Sequence, residues 1–144
     1  MISQHTLHLD HFKEMVMEPA SKVRVLLCDD NFLVRQTMRE ILQPHPDIEV
    51  VGEASDGDEA VACVGMLHPV LVVMDMNLHR MDGIRATRSI KTEYPHVLVL
   101  GYSADPKDYN VSAMKQVGAF EVLHKDDALK DLYGAIQRGV ASIH

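Results

Sequence analysis

The segment Val70–Gly83, VLVVMDMNLHRMDG, runs from an apolar stretch into a carboxylate and then into a polar loop. Buried strands of parallel sheets are nearly continuous Val/Ile/Leu runs, and ligands of open α/β sheets bind just beyond the carboxyl ends of the strands. Asp75 stands where such a ligand would bind. The segment therefore predicts a buried parallel strand that ends at a functional carboxylate.

On both sides of this segment, short β-branched apolar runs alternate with longer amphipathic stretches, which is typical of βα units around a parallel sheet. Five such units are present. The predicted strands are VRVLLCD (23–29), IEVVGEAS (48–55), VLVVMD (70–75), VLVLGYS (97–103) and FEVLH (120–124). The pattern predicts an α/β fold with a doubly wound, five-stranded parallel sheet.

The helices between these strands are predicted from apolar residues at helical spacing and from capping residues. Their predicted starts are Asn31, Asp56, Asp82 and Asp105. A last helix carries an apolar stripe that predicts its buried face, made of Leu129, Leu132, Tyr133, Ile136 and Val140.

Composition fits one soluble globular domain. The chain has 144 residues, 47% hydrophobic and 24% charged, and no apolar run approaches the roughly 20 residues of a membrane helix. A net charge of −7 without a basic block argues against nucleic acid as a direct ligand. We expect residues 1–21 to form a flexible leader and residues 22–144 to form the folded domain.

The N-terminal stretch lacks the basic start and long apolar run of a secretory signal, so we expect a cytoplasmic protein. Two cysteines, Cys28 and Cys63, are predicted to be buried core thiols, as in a reducing compartment.

Polar residues follow four of the predicted strands. Asp29 and Asp30 follow the first, Asp75 ends the third, Ser103 ends the fourth and Lys125 follows the fifth. Right-handed crossovers bring all these strand ends to one edge of the sheet. Three carboxylates there repel one another unless they bind protons or a cation. Mg²⁺ fits, because it binds through one or two carboxylates and keeps waters for a phosphate-bearing partner.

The residue types suggest a division of roles around Mg²⁺. Asp30 and Asp75 are the expected direct ligands, and Asn77 is placed to offer its backbone carbonyl. Asp29 is expected to orient a metal-bound water, with capping of the first helix as the alternative.

With the metal in place, Asp75 can act as a nucleophile, since carboxylates form acyl phosphates once the phosphoryl charge is neutralised. Lys125 can pair with phosphoryl oxygens or with Asp75, and the Ser103 hydroxyl can hydrogen-bond another oxygen. The edge is thus predicted to be a phosphoryl-transfer site.

Four motifs carry a family resemblance: CDDN (28–31), VMDMN with MDG (73–77 and 81–83), YSA (102–104) and GAFEVLHK (118–125). With them, the chain resembles the receiver domain of bacterial response regulators from about Val23 to Val140. The resemblance implies the flavodoxin/CheY-like (βα)5 fold with strand order 2-1-3-4-5. The ending HKDDALKDLYGAIQRG (124–139) is similar to receivers of the NarL/LuxR class.

The resemblance implies a two-component switch. A sensor histidine kinase would phosphorylate Asp75 in a Mg²⁺-dependent reaction that the receiver itself catalyses, so the domain phosphorylates and dephosphorylates itself and is not a turnover enzyme. Ser103 and the fourth helix would then rearrange and change the face formed with the fifth strand and the fifth helix. Receivers of this class usually continue into a helix-turn-helix domain, so DNA is an expected partner only through such a domain, and a homodimer is the other partner considered.

Two positions depart from the family pattern. His79 stands where the family usually has Pro, and Val122 stands where it usually has a switch Tyr or Phe. Valine has one stiff χ1 torsion and too little volume to swing like an aromatic ring. We therefore expect activation to run through the loop from Tyr102 to Asp105, with the Val122 side chain staying in place.

Three other classes of protein share parts of this pattern. A haloacid-dehalogenase-type phosphatase would need Asp-x-Asp, but position 77 is Asn. A flavodoxin-like electron carrier would need a hydroxyl-rich phosphate loop where Asp30 and Asn31 stand. A pseudo-receiver that binds partners without phosphorylation remains the alternative function, favoured by Val122 and disfavoured by the complete acidic set.

Overall fold

The computed structural model describes residues 22–78, 82–104 and 108–143. The strands are β1 (Val23–Cys28), β2 (Ile48–Ala54), β3 (Leu71–Asp75), β4 (Leu98–Ser103) and β5 (Glu121–His124). The helices are α1 (Phe32–Leu42), α2 (Gly57–Leu67), α3 (Gly83–Glu93), α4 (Asp108–Gln116) and α5 (Lys125–Ala141). The sheet order is β2-β1-β3-β4-β5 and all four pairings are parallel, which confirms the predicted fold.

The central strand β3 is buried along its whole length because apolar layers cover both of its faces. Leu71 and Val73 belong to the layer that contains α1 and α5, here called the α1/α5 layer. Val72 and Met74 belong to the opposite layer, which contains residues of α2, α3 and α4. A strand that faces apolar side chains on both sides has no polar face, which is why its sequence shows no alternation.

Side-chain caps determine where three helices begin. The Asn31 side chain accepts hydrogen bonds from the backbone N–H groups of Leu33 and Val34. Asp56 and Asp82 cap α2 and α3 in the same way, as predicted. Asn31, and not Asp29, therefore caps α1, so the alternative role weighed for Asp29 was wrong. The predicted start of α4 at Asp105 lies outside the described residues, as does the predicted leader.

The predicted stripe of α5 was partly wrong. Leu129 is 40% exposed, and the buried positions are Ala128, Leu132, Ala135, Ile136 and Gly139. Three of these five buried positions are alanine or glycine, which let the helix approach the sheet closely. Gly139 shows this most directly, because a Cβ there would lie 2.4 Å from the Phe120 ring.

The far edge of the sheet is joined to α5 by an aromatic contact. The rings of His45 and Tyr133 are stacked with centroids 3.6 Å apart. The Tyr133 hydroxyl donates a hydrogen bond of 2.8 Å to Asp47 Oδ2. The loop before β2 is thus tied to the last helix.

Cys28 is buried, as predicted, whereas Cys63 is only half-buried and packs at the margin of the layer opposite the α1/α5 layer. In the described part of the chain, every helix is too short or too polar to cross a membrane.

Candidate active site

Three carboxylates meet at the carboxyl edge of the sheet. Asp29 follows β1 and Asp75 ends β3, and these strands are neighbours, with Cys28 and Met74 in register. One carboxylate oxygen from each of Asp29, Asp30 and Asp75 lies within 4.8 Å of the others. Asp29 and Asp75 are buried, while Asp30 is the most accessible of the three. The topology therefore brings together the three acids that the sequence analysis singled out.

The two oxygens of Asp75 are in different situations. Oδ1 accepts a hydrogen bond of 2.9 Å from the Asn77 N–H. Oδ2 is buried, and among the described residues no donor hydrogen-bonds to it. The Lys125 ammonium is 3.7 Å from this oxygen, close enough for charge attraction. A buried carboxylate oxygen without a hydrogen bond is costly, so Oδ2 is the atom at which a ligand would gain most.

The pKa of Asp75 is raised from 3.8 to about 6, and burial is the largest cause. The neighbouring charges of Asp29 and Asp30 also act to raise this pKa, while the Asn77 N–H and Lys125 act to lower it. A proton or a cation is thus favoured at this carboxylate.

Asp29 differs from Asp75 because both of its oxygens accept hydrogen bonds. Oδ1 accepts from the Asn31 N–H at 2.7 Å, and Oδ2 accepts from the buried Tyr102 hydroxyl. The Arg35 guanidinium also donates to the Asp29 backbone carbonyl at 2.6 Å. Burial, together with the Asp29 charge, raises the pKa of Tyr102 well above its usual value, so this hydroxyl stays protonated and remains a donor.

Lys125 is the first residue of α5 and extends over the acids. Its Nζ is 3.7 Å from Asp75 Oδ2, 3.9 Å from Asp29 Oδ2 and 5.7 Å from the centroid of the Tyr102 ring. The turn before it is fixed by His124, whose Nδ1 accepts a hydrogen bond from the Asp126 N–H. The Lys125 ammonium therefore lies within 4 Å of both the Asp29 and the Asp75 carboxylates.

Ser103 ends β4 and is buried beside the acids. The Asn77 side-chain amide donates to Ser103 Oγ at 3.3 Å. Asn77 therefore contacts both Asp75 and Ser103. Its predicted role as a carbonyl ligand of a metal stays a prediction, because the contacts seen here involve its donor groups.

Sequence reasoning missed two residues of this site. Tyr102 was assigned only to the YSA motif and to the loop expected to move, yet its hydroxyl reaches Asp29 across the sheet. An available signal was that a tyrosine inside a buried strand must find a hydrogen-bond partner. Gly83 was assigned only to the MDG motif, but a Cβ there would lie 2.2 Å from the Asp75 carbonyl oxygen.

Of the two departures from the family pattern, only Val122 is described. It is half-buried, pairs with Gly101 on β4 and packs against the layer opposite the α1/α5 layer. His79 lies outside the described residues, and so does Asp105 at the end of the loop expected to move.

A parallel sheet of order 2-1-3-4-5, with clustered acids, a hydroxyl and a lysine at its carboxyl edge, defines the receiver class of signalling domains. The family described as response regulator receiver domain matches residues 25–137, and the chain belongs to that family. It is 33% identical over 127 residues to the transcriptional regulatory protein DegU of Brevibacillus brevis. It is 39% identical over 117 residues to the transcriptional regulatory protein LiaR of Bacillus subtilis.

These matches cover 86% and 80% of this chain but 54% of either relative, so the chain spans about half their length. Two solved structures are similar over the whole fold. A LuxR-family response regulator from Aurantimonas gives a TM-score of 0.80 at 30% identity, covering 85% of this chain and 87% of that one. The receiver domain of the putative regulator NarL from Mycobacterium tuberculosis gives 0.78 at 29% identity, covering 82% and 95%. They confirm the resemblance to the NarL/LuxR class.

Proposed function

We propose that this receiver domain accepts a phosphoryl group on Asp75 from a sensor histidine kinase, in a reaction that requires Mg²⁺. The observation that carries the proposal is the buried Asp75 Oδ2. It lacks a hydrogen bond from any described residue and lies 3.7 Å from an ammonium group. A nucleophilic oxygen needs a free lone pair and neutralising charge nearby, and this atom has both.

The acids fit a divalent cation. Oxygens of three carboxylates lie within 4.8 Å of one another, and hard cations such as Mg²⁺ take oxygen ligands. Asp30 and Asp75 would hold the ion, because the oxygens of Asp29 are already engaged by Asn31 and Tyr102. Mg²⁺ would supply positive charge that offsets the phosphoryl oxygens as they approach.

The chemical step can be written with the groups present. An Asp75 carboxylate oxygen attacks phosphorus and forms an O–P bond, while the P–N bond to the kinase histidine breaks. The electron pair of the P–N bond stays on the ring nitrogen, which takes up a proton from water, so the kinase histidine leaves as a neutral imidazole. Lys125 pairs with the negative charge that arrives on Asp75, and the Ser103 hydroxyl donates to a phosphoryl oxygen. Arrival of this charge beside β4 is the local event that a receiver transmits.

We further propose that the domain is the input part of a transcription regulator, as the names of its relatives suggest. The chain carries a net charge of −7 and shows no basic block, so DNA contact would belong to a separate domain.

The test is incubation of the purified domain with Mg²⁺ and acetyl phosphate, followed by intact mass measurement and peptide mapping. We expect one added phosphoryl group, located on Asp75. We expect no phosphoryl group to be added when EDTA replaces Mg²⁺ during the incubation. A stable phosphoryl group on another residue, or none at all under conditions that phosphorylate an established receiver, would contradict the proposal.

Replacing Asp30 with alanine tests the metal site separately. We expect Mg²⁺ to bind more than about tenfold more weakly, because one of two direct carboxylate ligands is lost. Calorimetric titration of the metal measures this without any phosphodonor. Asp58→Ala is the matched control, since it removes the same charge from an exposed position in the first turn of α2. Equal Mg²⁺ affinities of the two variants would exclude Asp30 as a ligand.

A further inference from the structure

We infer that Tyr102 is a positioning residue of the phosphorylation site, whose hydroxyl engages Asp29 and so leaves the Lys125 ammonium to Asp75. The inference rests on the proposed function, because it concerns the same site. It assigns a role at the acids to Tyr102, which the sequence analysis placed only in the YSA motif and in the loop expected to move.

The lysine lies between two acceptors that are nearly equivalent in distance. Its Nζ is 3.7 Å from Asp75 Oδ2 and 3.9 Å from Asp29 Oδ2. Both acceptors belong to buried carboxylates, so distance and burial alone do not favour the reacting one. What distinguishes them is that Asp29 Oδ2 accepts a hydrogen bond from Tyr102 and Asp75 Oδ2 accepts none from any described residue.

A hydrogen bond to a buried carboxylate oxygen removes much of the cost of burying it. The Tyr102 hydroxyl does this for Asp29 and thereby weakens the attraction of Asp29 for the ammonium. Without the hydroxyl, Asp29 Oδ2 would be as poor in donors as Asp75 Oδ2 is now. The ammonium, on a flexible four-carbon stem, would then pair with Asp29.

The register of the sheet places Tyr102 between the acids and the lysine. Tyr102 pairs with Asp75 across β3 and β4 and with Leu123 on β5, the strand that leads into Lys125. Its ring lies beneath the ammonium at 5.7 Å and its hydroxyl reaches Asp29. One side chain therefore contacts the acid and the lysine while its backbone is paired with the nucleophile.

The test is Tyr102→Phe, which keeps the ring and removes only the hydroxyl. In a crystal structure of the metal-free variant we expect Lys125 Nζ to lie nearer to Asp29 than to Asp75. At saturating Mg²⁺ we expect phosphorylation by acetyl phosphate to slow about tenfold, the size of effect expected when a hydrogen bond to a charged group is lost. Tyr102→Met, which lacks both ring and hydroxyl, is the second variant and should show the same displacement of the lysine.

Tyr133→Phe is the matched control, because it also removes a phenol hydroxyl bonded to a carboxylate, Asp47, but far from the acids. It should keep the wild-type rate and the wild-type lysine position. An unmoved Lys125 and an unchanged rate in Tyr102→Phe would overturn the inference, and so would equal slowing in both Tyr→Phe variants. If the wild-type domain itself takes up no phosphoryl group, the proposed function fails, while the lysine position still decides this inference.

Discussion

The variant Asp75→Asn takes up no phosphoryl group from acetyl phosphate, and its stability relative to wild type rises with pH: this is the result we expect. Loss of phosphorylation follows from loss of the nucleophilic carboxylate, since an amide oxygen is a far weaker nucleophile. The stability effect follows from burial of Asp75, which raises its pKa from 3.8 to about 6.

The sign of the stability effect comes from linkage. Below pH 3.8 the Asp75 carboxyl is protonated in both the folded and the unfolded chain, so its titration contributes nothing. Between pH 3.8 and about 6 the unfolded chain ionises this carboxyl while the folded protein still holds its proton, so wild type loses stability as the pH rises through this range. Asparagine does not titrate. Between pH 4 and pH 7, Asp75→Asn should therefore gain about 2 kcal/mol in unfolding free energy relative to wild type.

Urea unfolding of both proteins at these two pH values, in EDTA, measures this gain. With millimolar Mg²⁺ at pH 7, the difference in unfolding free energy between Asp75→Asn and wild type should become smaller, because an ion bound to Asp75 stabilises only wild type. Asp58→Asn, at an exposed position, provides the control and should follow wild type at both pH values. Parallel pH dependence of wild type and Asp75→Asn would show that the folded protein does not disfavour the charge.

The second large effect is expected from Gly83→Ala. A Cβ at this position would lie 2.2 Å from the Asp75 carbonyl oxygen and 2.7 Å from Met76 Cα, both in the backbone. To remove these close contacts, α3 would have to move away from the end of β3. This movement would break the hydrogen bond that the Gly83 N–H donates to the Met76 carbonyl. We expect a loss of about 3 kcal/mol in unfolding free energy, at the upper end for overpacking, together with weaker Mg²⁺ binding.

Gly134→Ala is the matched change for Gly83→Ala. It lies inside α5, where the nearest atom to a new Cβ is the end of the movable Asp131 side chain. Alanine is the better helix former, so this variant should be unchanged or more stable by up to about 1 kcal/mol. Chemical unfolding of both variants measures the contrast. Similar stabilities would mean that the turn after Asp75 has room to adjust.

The fold and the acids of the site could be predicted because both depend on repeating patterns. Apolar runs identified the strands, and parallel topology then required Asp29, Asp75 and Ser103 to share one edge. The capping residue of α1 was harder to assign, because Asp29, Asp30 and Asn31 follow β1 in a row. Where β1 ends determines which of these side chains can accept hydrogen bonds from the first turn of the helix. The buried face of α5 was partly misjudged because Leu129 fits the helical spacing, whereas Ala128, Ala135 and Gly139 share the buried face with the predicted Leu132 and Ile136.

The bond from Tyr102 to Asp29 could not be predicted from spacing. It joins residues 73 positions apart and depends on which face of β4 the ring occupies. The alternation of β4 places Leu98, Leu100 and Tyr102 in the α1/α5 layer. Only the packed sheet shows that a side chain on this face brings the Tyr102 hydroxyl to Asp29.

The α1/α5 layer has a consequence for synthesis on the ribosome. It contains both α1 and α5, so the contacts between these two helices form only after residues 125–141 have left the exit tunnel. The layer formed by α2, α3 and α4 is complete earlier along the chain. A nascent chain paused before α5 therefore lacks the α5 side chains that complete the layer of Met38 and Leu42, and this face of the sheet is only partly covered. The helix that closes this layer also begins with Lys125, so the lysine reaches the acids as the α1/α5 layer closes.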